Sequence, residues 1–535
     1  MKTKPYIPSK NGDEEKIGVL WKYRVFNACG FSIVLLFCKE VIKMTKQKIE
    51  RQDFLVWICV FFITMISILP YLTSKIYSID DYHLLNIYNL NWETLGYNFY
   101  STGRPIEGLL AEILYRFNLQ PLNKPMGAVA FVAAISFSGI YMAKYLNINE
   151  FKYKIIFVAL VTSNPFFVEL YYYGTVTIYC AFAVLMLAVG LFFSNQFILY
   201  KKWYYLVLSC ICYICSLGTY QIFYPIIGFC IMIKGIMNLR KRSKDEWKNI
   251  GIIFCIYLLS FIWFYIILRI AFSIKAPALI YDGIDVLQFI RELFTLDYWK
   301  IMVGKMVVFL LKNNPFFSSL SLKILLLISL LIFVQSLKKA EKRYMEVLFS
   351  VIFICIGLYL VFGMGITRPN SISARTLTAF GIYEAGLFVL FLQFGYKEKK
   401  WLLALFGWIV FVNSAMAGKN ALNTMRLNEI EMNMANRIVA RMETFEEFSA
   451  NATLVILGVP ATGSIGSTGI GDYNVPASVS FSKVLMFNEA TGYTFTSPTS
   501  EQYEIAYSYI EEMNTWPKDK SVLYKDGMFI VRLYY

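Results

Sequence analysis

Apolar residues fill runs of about 20 positions along most of this chain, and short polar or charged stretches separate the runs. A run of that length crosses the hydrocarbon core of a bilayer as one helix. DFLVWICVFFITMISILPYL, at 53–72, is the first of them. The pattern predicts eleven transmembrane helices, centred near residues 63, 136, 162, 184, 210, 229, 261, 328, 354, 386 and 409.

Composition agrees with a membrane protein and excludes a soluble globular chain, because 57% of the 535 residues are hydrophobic and only 16% are charged. The net charge of +15 is unevenly placed, since residues 419–535 hold nine Lys and Arg against 13 Asp and Glu. The basic excess therefore lies before residue 419. In a membrane protein such an excess reports orientation, and we expect no nucleic-acid partner.

Basic residues concentrate in the connections that follow the even-numbered predicted spans, at 144–154, 200–203, 239–248, 337–344 and 396–400. The positive-inside rule places these connections in the cytoplasm. The loops 74–124 and 273–319, the segment 365–377 and the tail then lie outside. An apolar segment at 29–44 is interrupted by Lys39, Glu40 and Lys43, so we expect a helix on the cytoplasmic membrane surface.

These patterns predict three regions: a cytoplasmic segment with the surface helix (1–53), a membrane domain (54–418) and an extracytoplasmic domain (419–535). In the last region a charged helix at 421–448 precedes strand-like TLVILG (453–458), and the turn signal KDG (525–527) leads into strand-like MFIVRLYY. The predicted fold class is thus an all-α polytopic membrane protein with a small α/β C-terminal domain.

Few residues suit metal or nucleophile chemistry. All ten cysteines precede residue 356 in or beside apolar segments, and CICYIC at 210–215 favours packing over disulfides or a metal site. His83 is the only histidine, which leaves little for a Ser-His-Asp triad or a His-rich metal site. We expect His83 to be structural or to contact the acceptor, and we expect neither a metal nor a cofactor.

Two adjacent carboxylates, Asp80 and Asp81, follow the first span in YSIDDYHLLN. Neighbours at a helix start point about 100° apart, so one carboxylate can face a pocket while the other meets solvent or a basic partner. A like charge and a pocket wall both raise the pKa of a carboxylate, as a general base near neutral pH requires. Solvation at the membrane interface is the alternative interpretation of such carboxylates.

Further polar residues are predicted at the same outer face. Arg368 and Arg375, in ITRPNSISARTL, suit a lipid-linked phosphate, although arginines at a membrane edge also anchor helix ends in headgroups. Glu169 lies at the hairpin between the third and fourth spans, and Tyr220 and Gln221 lie at the hairpin between the fifth and sixth. We expect these hairpins to converge with Asp80.

The order of these motifs resembles a known family. After the acidic pair, the same loop contains W-x-x-x-G and GRP, whose residues are Trp92, Gly96, Gly103, Arg104 and Pro105. NP follows the third span, SLGTYQ lies between the fifth and sixth spans, and ARTL precedes the tenth. Together they resemble the GtrII-type glucosyltransferases, phage- or prophage-borne, serotype-converting enzymes that modify bacterial O-antigen. The likeness covers roughly residues 54–420.

The resemblance implies a GT-C architecture in the bacterial inner membrane, a polyprenyl-phosphate sugar donor, usually undecaprenyl-phosphate glucose, and a lipid-linked O-antigen acceptor in the periplasm. It also implies a donor synthase and a small flippase as functional partners. Asp80 would be the general base, and Asp81 would orient the acceptor or tune that base. Arg375, with Arg368 or Arg104, would neutralise the departing lipid phosphate.

On the same resemblance, attack opposite the phosphate would invert a β-linked donor to an α-glycoside, and no metal is obligatory because the phosphate already leaves readily. The candidate substrate-contacting residues are His83, Trp92, Glu169, Tyr220 and Gln221.

Three alternatives stay open: a flippase or transporter for lipid-linked sugars, an O-antigen polymerase, and a GT-C enzyme for another sugar. A transporter would bury ionisable groups at mid-membrane, where Glu384 and Arg269 are the few candidates.

Overall fold

The computed structural model describes residues 51–74, 76–82, 102–117, 124–241, 243–275, 286–311, 320–321, 323–327, 330, 344–363, 366, 372–393, 400–460 and 475–534. The chain divides into two compact units, Met1–Leu55 and Val56–Tyr535. Only residues 51–55 of the first unit are described, so the surface helix predicted at 29–44 lies outside the described residues. The following paragraphs concern the second unit and the helix that enters it.

Helices joined mostly by short connections form the membrane part. They are α1 (Arg51–Ser67), α2 (Leu69–Thr73), α3 (Pro105–Arg116), α4 (Lys124–Tyr145), α5 (Phe151–Thr162), α6 (Val168–Tyr172), α7 (Gly174–Tyr200), α8 (Trp203–Thr219), α9 (Pro225–Lys241), α10 (Lys244–Lys275), α11 (Val286–Glu292), α12 (Leu296–Leu311), α13 (Tyr344–Val361), α14 (Phe380–Phe391) and α15 (Lys400–Met442). Short 3-10 turns, Pro165–Phe167, Gln221–Phe223 and Ala374–Leu377, precede α6, α9 and α14.

Seven segments of the described chain are long and apolar enough to cross a bilayer: Lys124–Tyr145, Phe151–Tyr172, Val176–Tyr200, Gln221–Leu239, Lys244–Ile270, Ala374–Phe391 and Lys400–Met442. They coincide with seven of the predicted spans. The spans predicted near residues 63, 210 and 354 are present as the shorter helices α1, α8 and α13. Most of the span predicted near 328 lies outside the described residues. The polytopic helical class is confirmed, and the count of eleven is not.

One polar side chain joins two of the turns that precede helices. Asn164 caps the 3-10 turn Pro165–Phe167, because its side chain accepts a hydrogen bond from the Phe166 amide. Its amide nitrogen donates to the carbonyls of Leu377 and Thr378, at 3.2 and 2.9 Å. Nearby, Gly381 lets α14 approach α5 closely, since a Cβ there would lie 2.7 Å from the carbonyl oxygen of Leu160. The start of α14 is therefore fixed against the α5–α6 turn.

The C-terminal domain continues directly from the membrane part. Helix α15 runs without a break for 43 residues, so it crosses the domain boundary predicted at 418–419. Beyond it lie β1 (Thr453–Leu457), α16 (Lys483–Thr491), α17 (Ser500–Ser508), β2 (Val522–Lys525) and β3 (Met528–Arg532). The sheet has the order β1-β3-β2, with β1 parallel and β2 antiparallel to β3. Asp526 and Gly527 form the two-residue β2–β3 turn with φ of 50° and 74°, as the KDG signal predicts.

Candidate active site

The predicted site residues that the structure describes lie at one end of the bundle, which we call the site end. It is the end where α2, α6 and α8 finish and where α3, α4, α7, α9 and α14 begin. Two long-range hydrogen bonds tie it together. The start of α4 contacts the end of α6, because Nζ of Lys124 donates to the Tyr172 carbonyl at 2.7 Å. The side-chain nitrogen of Gln221 donates to the carbonyl of Gly103, also at 2.7 Å.

Asp81 is fully buried and paired with a lysine. Its Oδ2 lies 2.7 Å from Nζ of Lys124, whose side chain is itself buried. The same oxygen accepts hydrogen bonds from the amides of Ser78, at 2.7 Å, and Gly174, at 3.4 Å. A buried carboxylate needs such partners, since desolvation otherwise costs several kcal/mol. Asp81 thus fastens the turn after α2 to the starts of α4 and α7.

Asp80 is the partly exposed member of the acidic pair. Within the helical turn 79–82, Ile79, Asp81 and Tyr82 are all buried, whereas Asp80 keeps part of its surface accessible. Its charge acts on the guanidinium of Arg375. The two carboxylates therefore differ as the helical spacing predicts, because Asp81 is buried against Lys124 and Asp80 stays partly accessible.

Arg375 lies in the 3-10 turn before α14 and is oriented by a buried carboxylate. Its backbone amide donates to Oε2 of Glu169 at 2.5 Å, and its Nε lies 3.9 Å from Oε1. Cζ of Arg375 is 5.0 Å from the centre of the Tyr173 ring, within the range of a cation–π contact. The arginine side chain still retains 29% of its exposure. It can therefore accept an anionic ligand while Glu169 and Tyr173 hold it.

A second arginine comes from the loop before α3. Gly103 takes the left-handed conformation with φ of 76°, which a residue with a side chain rarely adopts, and Arg104 follows it. Nη1 of Arg104 lies 2.9 Å from Oε2 of Glu107, and its Cζ is 5.3 Å from the centre of the Tyr220 ring. Burial raises the pKa of Tyr220 to about 12, and the charges of Arg375 and Arg104 oppose that rise. The charges of Arg375 and Arg104 thus both act on the hydroxyl of Tyr220.

A family model described as Glucosyl transferase GtrII matches residues 69–391, which is more than half of the chain. The chain belongs to the GtrII family. The resemblance seen in the sequence is therefore confirmed, and this GtrII protein is a membrane-embedded glycosyltransferase. No curated protein and no solved structure matches it. The matched segment contains the acidic pair and both arginines, and it ends before α15 and the C-terminal domain.

Sequence reasoning missed Glu107, which lies at the site end beside Arg104. Its side chain is fully buried, and burial raises its pKa to about 7, although the charge of Arg104 opposes the rise. On α3 the apolar Leu109 and Ile113 are exposed while Glu107 faces inward. This inverted pattern fits a helix whose outer side meets lipid. The i,i+3 spacing from Arg104 was the signal that could have revealed the pair.

Among the described residues, the site end brings together seven of the predicted side chains: Asp80, Asp81, Arg104, Glu169, Tyr220, Gln221 and Arg375. His83, Trp92 and Arg368 lie outside the described residues, so their roles stay predictions. The described part of the chain holds no group of three or more His, Cys, Asp and Glu residues that could bind a metal ion.

Proposed function

We propose that this GtrII protein is an inverting, GT-C-type transferase that moves glucose from a polyprenyl-phosphate donor onto lipid-linked O-antigen. The reaction takes place at the periplasmic face of the inner membrane, with a donor synthase and a small flippase supplying the donor. Family membership supports sugar transfer. The observation that carries the rest is a partly exposed Asp80 whose charge acts on Arg375, beside an Asp81 whose charge Lys124 already balances.

The proposed step uses the chain's own groups. The Asp80 carboxylate takes the proton of an acceptor hydroxyl as the acceptor oxygen bonds to the anomeric carbon. The bond between that carbon and the donor phosphate breaks, and the lipid phosphate leaves with the electron pair. Arg375 and Arg104 stabilise its charge, since a guanidinium fork matches phosphate oxygens. Attack from the side opposite the phosphate converts a β-linked donor to an α-glycoside.

The distribution of basic residues supports an outward-facing site. Lys144 lies at the end of α4, Lys201 and Lys202 lie between α7 and α8, and Lys244 and Lys400 begin α10 and α15. All of these positions belong to the end of the bundle opposite the site end. The positive-inside rule assigns such an end to the cytoplasm, which leaves the site end to the periplasm.

Structural analysis of the host O-antigen tests the proposal. Cells that express the wild-type chain gain one hexose per repeat, and cells with Asp80→Asn keep the unmodified repeat. Asp297→Asn is the matched control, because Asp297 is an exposed aspartate on α12 that pairs only locally with Lys300. An unmodified repeat with the wild-type chain would overturn the proposal.

One observation favours a lipid-linked sugar transporter as the second candidate. Glu384 is buried within the span of α14 and accepts a hydrogen bond from Asn413 at 2.8 Å. Ionisable groups inside a membrane often mark transport pathways. Counterflow of lipid-linked sugar in vesicles, without any transfer to an acceptor, would favour this function over the enzyme.

A further inference from the structure

We propose that the C-terminal domain, which lies outside the family-matched segment, positions Asp80 for catalysis by clamping the turn that carries it. The inference rests on the proposed role of Asp80 as the base. It assigns a function to α16 and the end of α15, which sequence reasoning described only as parts of a small extracytoplasmic domain.

The turn passes from one hydrophobic core into another within three residues. Ile76 belongs to the large buried cluster of the membrane part. Ile79 and Tyr82 belong to the cluster of the C-terminal domain, where they pack with residues of α15, β1, α16 and β3. Ile79 is 7% exposed and Tyr82 is 1% exposed, so both side chains are anchored there. The turn thus connects two cores and does not lie loosely on either.

Polar contacts hold the same turn against the C-terminal domain. The hydroxyl of Ser482, just before α16, donates to the carbonyl of Ile79 at 2.5 Å. On α15, Oδ1 of Asn428 accepts a hydrogen bond from the Tyr77 amide at 3.1 Å and lies 3.4 Å from the Tyr82 hydroxyl. These bonds hold the backbone of Tyr77 and Ile79 before Asp80 and the side chain of Tyr82 after it.

The clamp is itself tied to the long helix. The buried carboxylate of Glu431 on α15 accepts hydrogen bonds from the amides of Ala477 and Ser478, at 3.0 and 2.8 Å. It also accepts one from the Ser478 hydroxyl at 2.6 Å. Because α15 begins in the membrane and ends in the domain, Ser482 is held at a fixed place relative to the bundle.

The arrangement of side chains around the helical turn explains why these contacts orient Asp80. Ile79 and Tyr82, three residues apart, share one face and point into the C-terminal domain. Asp81 points to Lys124 on the membrane side. With both sides held, the partly exposed Asp80 keeps one position, from which its charge acts on Arg375. A misplacement of about 1 Å at a reacting group can cost 10²-fold in rate, so loosening one side of this grip is expected to slow turnover.

Two serines of the C-terminal domain provide a matched test. Ser482→Ala removes the bond to Ile79, while Ser508→Ala, at the end of α17, removes a local bond to the Ile505 carbonyl. We measure hydrogen exchange of residues 76–82 and the kcat and KM of the full-length protein in nanodiscs. Synthetic β-glucosyl-phosphoryl-undecaprenol is the donor probe, and the host's lipid-linked O-antigen is the acceptor.

With Ser482→Ala we expect exchange in 76–82 to rise about tenfold and kcat to fall about tenfold, with KM unchanged. Ser508→Ala should match the wild type in all three. Unchanged exchange, or faster exchange with unchanged kcat, overturns the clamp. If Ser482→Ala does not fold, Asn428→Ala, which frees the Tyr77 amide, decides by the same criteria.

Asp80→Asn separates this inference from the proposed function. If Asp80→Asn is inactive while Ser482→Ala keeps full kcat, only the clamp fails. If Asp80→Asn keeps full activity, the proposed base is wrong and the clamp fails with it.

Discussion

Replacing Lys124 with methionine tests how the acidic pair is held. The variant keeps the length of the side chain but removes the charge that lies 2.7 Å from Asp81. It also removes the donor to the carbonyls of Ile76 and Tyr172. The Asp81 carboxylate, which has no solvent exposure, would stay buried without its lysine.

Removing one partner of a buried ion pair costs about 3–5 kcal/mol, because the remaining charge is not solvated. We therefore expect the free energy of unfolding to fall by about 4 kcal/mol in Lys124→Met. For a chain of this length that unfolds cooperatively, the loss corresponds to a Tm decrease of about 4 °C. Transfer activity should fall as well, because Asp81 anchors the turn that carries Asp80.

The double variant Lys124→Met with Asp81→Asn is the informative comparison. Asparagine can still accept the hydrogen bond from the Ser78 amide, so it replaces the carboxylate there without its charge. We expect it to recover about 2–3 kcal/mol relative to Lys124→Met. Unfolding of the purified protein in micelles, followed by fluorescence of its 10 tryptophans, measures each value. A single variant within about 1 kcal/mol of the wild type, or a double variant less stable than Lys124→Met, would refute the reasoning.

Three further predictions follow from the site and its packing. Arg375→Lys keeps the charge but not the planar fork, so kcat/KM for the donor should fall roughly tenfold, and an unchanged value in a donor titration would exclude a phosphate fork there. Burial raises the pKa of Glu107 from 4.5 to about 7, so the folded chain holds a proton that the unfolded chain releases, and stability falls as pH rises between these values. Between pH 4 and pH 8 the free energy of unfolding should therefore fall by on the order of 3 kcal/mol less in Glu107→Gln than in the wild type. If the two proteins lose the same stability over this range, the assignment is wrong. Gly381→Ala places a Cβ 2.7 Å from a carbonyl oxygen of α5 and should lower the free energy of unfolding by about 1–3 kcal/mol. Gly407→Ala is the control, because a Cβ there would have nothing within 4 Å. Equal Tm values for the two variants would count against this packing.

Local spacing predicted that the members of the acidic pair would have different surroundings, but not which residue would pair with the buried one. Neighbouring positions on a helical turn lie about 100° apart, which a sequence reveals, and Asp81 is buried while Asp80 is partly exposed. Lys124 lies 43 positions after Asp81 at the start of another span, where a lysine is an ordinary flanking residue. Only the packing of α4 against α6 brings it to the carboxylate. The same holds for Glu107, whose polar character alone suggests an exposed face rather than a buried one.

Periodicity located most of the helices and the strands β1 and β3, yet it divided α15 at the point where apolar residues give way to polar ones. A helix does not end where its surroundings change from lipid to water, provided that one face stays buried. Ala417, Ala421, Thr424, Asn428 and Glu431 are all buried at three- and four-residue spacing across the predicted boundary. The change from apolar to polar residues thus indicates where the helix leaves the lipid, not where the helix ends.

Because α15 is unbroken, it sets both the position of the C-terminal domain along the helix axis and its rotation about that axis. At 1.5 Å per residue its 43 residues extend roughly 65 Å, about half of it beyond the membrane. One residue inserted between Asn413 and Asn428 would turn everything after it by about 100° while moving it only about 1.5 Å along the axis. Ser482 would then swing away from Ile79 although every side chain of both parts was retained. The helical phase of this stretch is therefore a structural requirement for the contact between the C-terminal domain and the turn that carries Asp80.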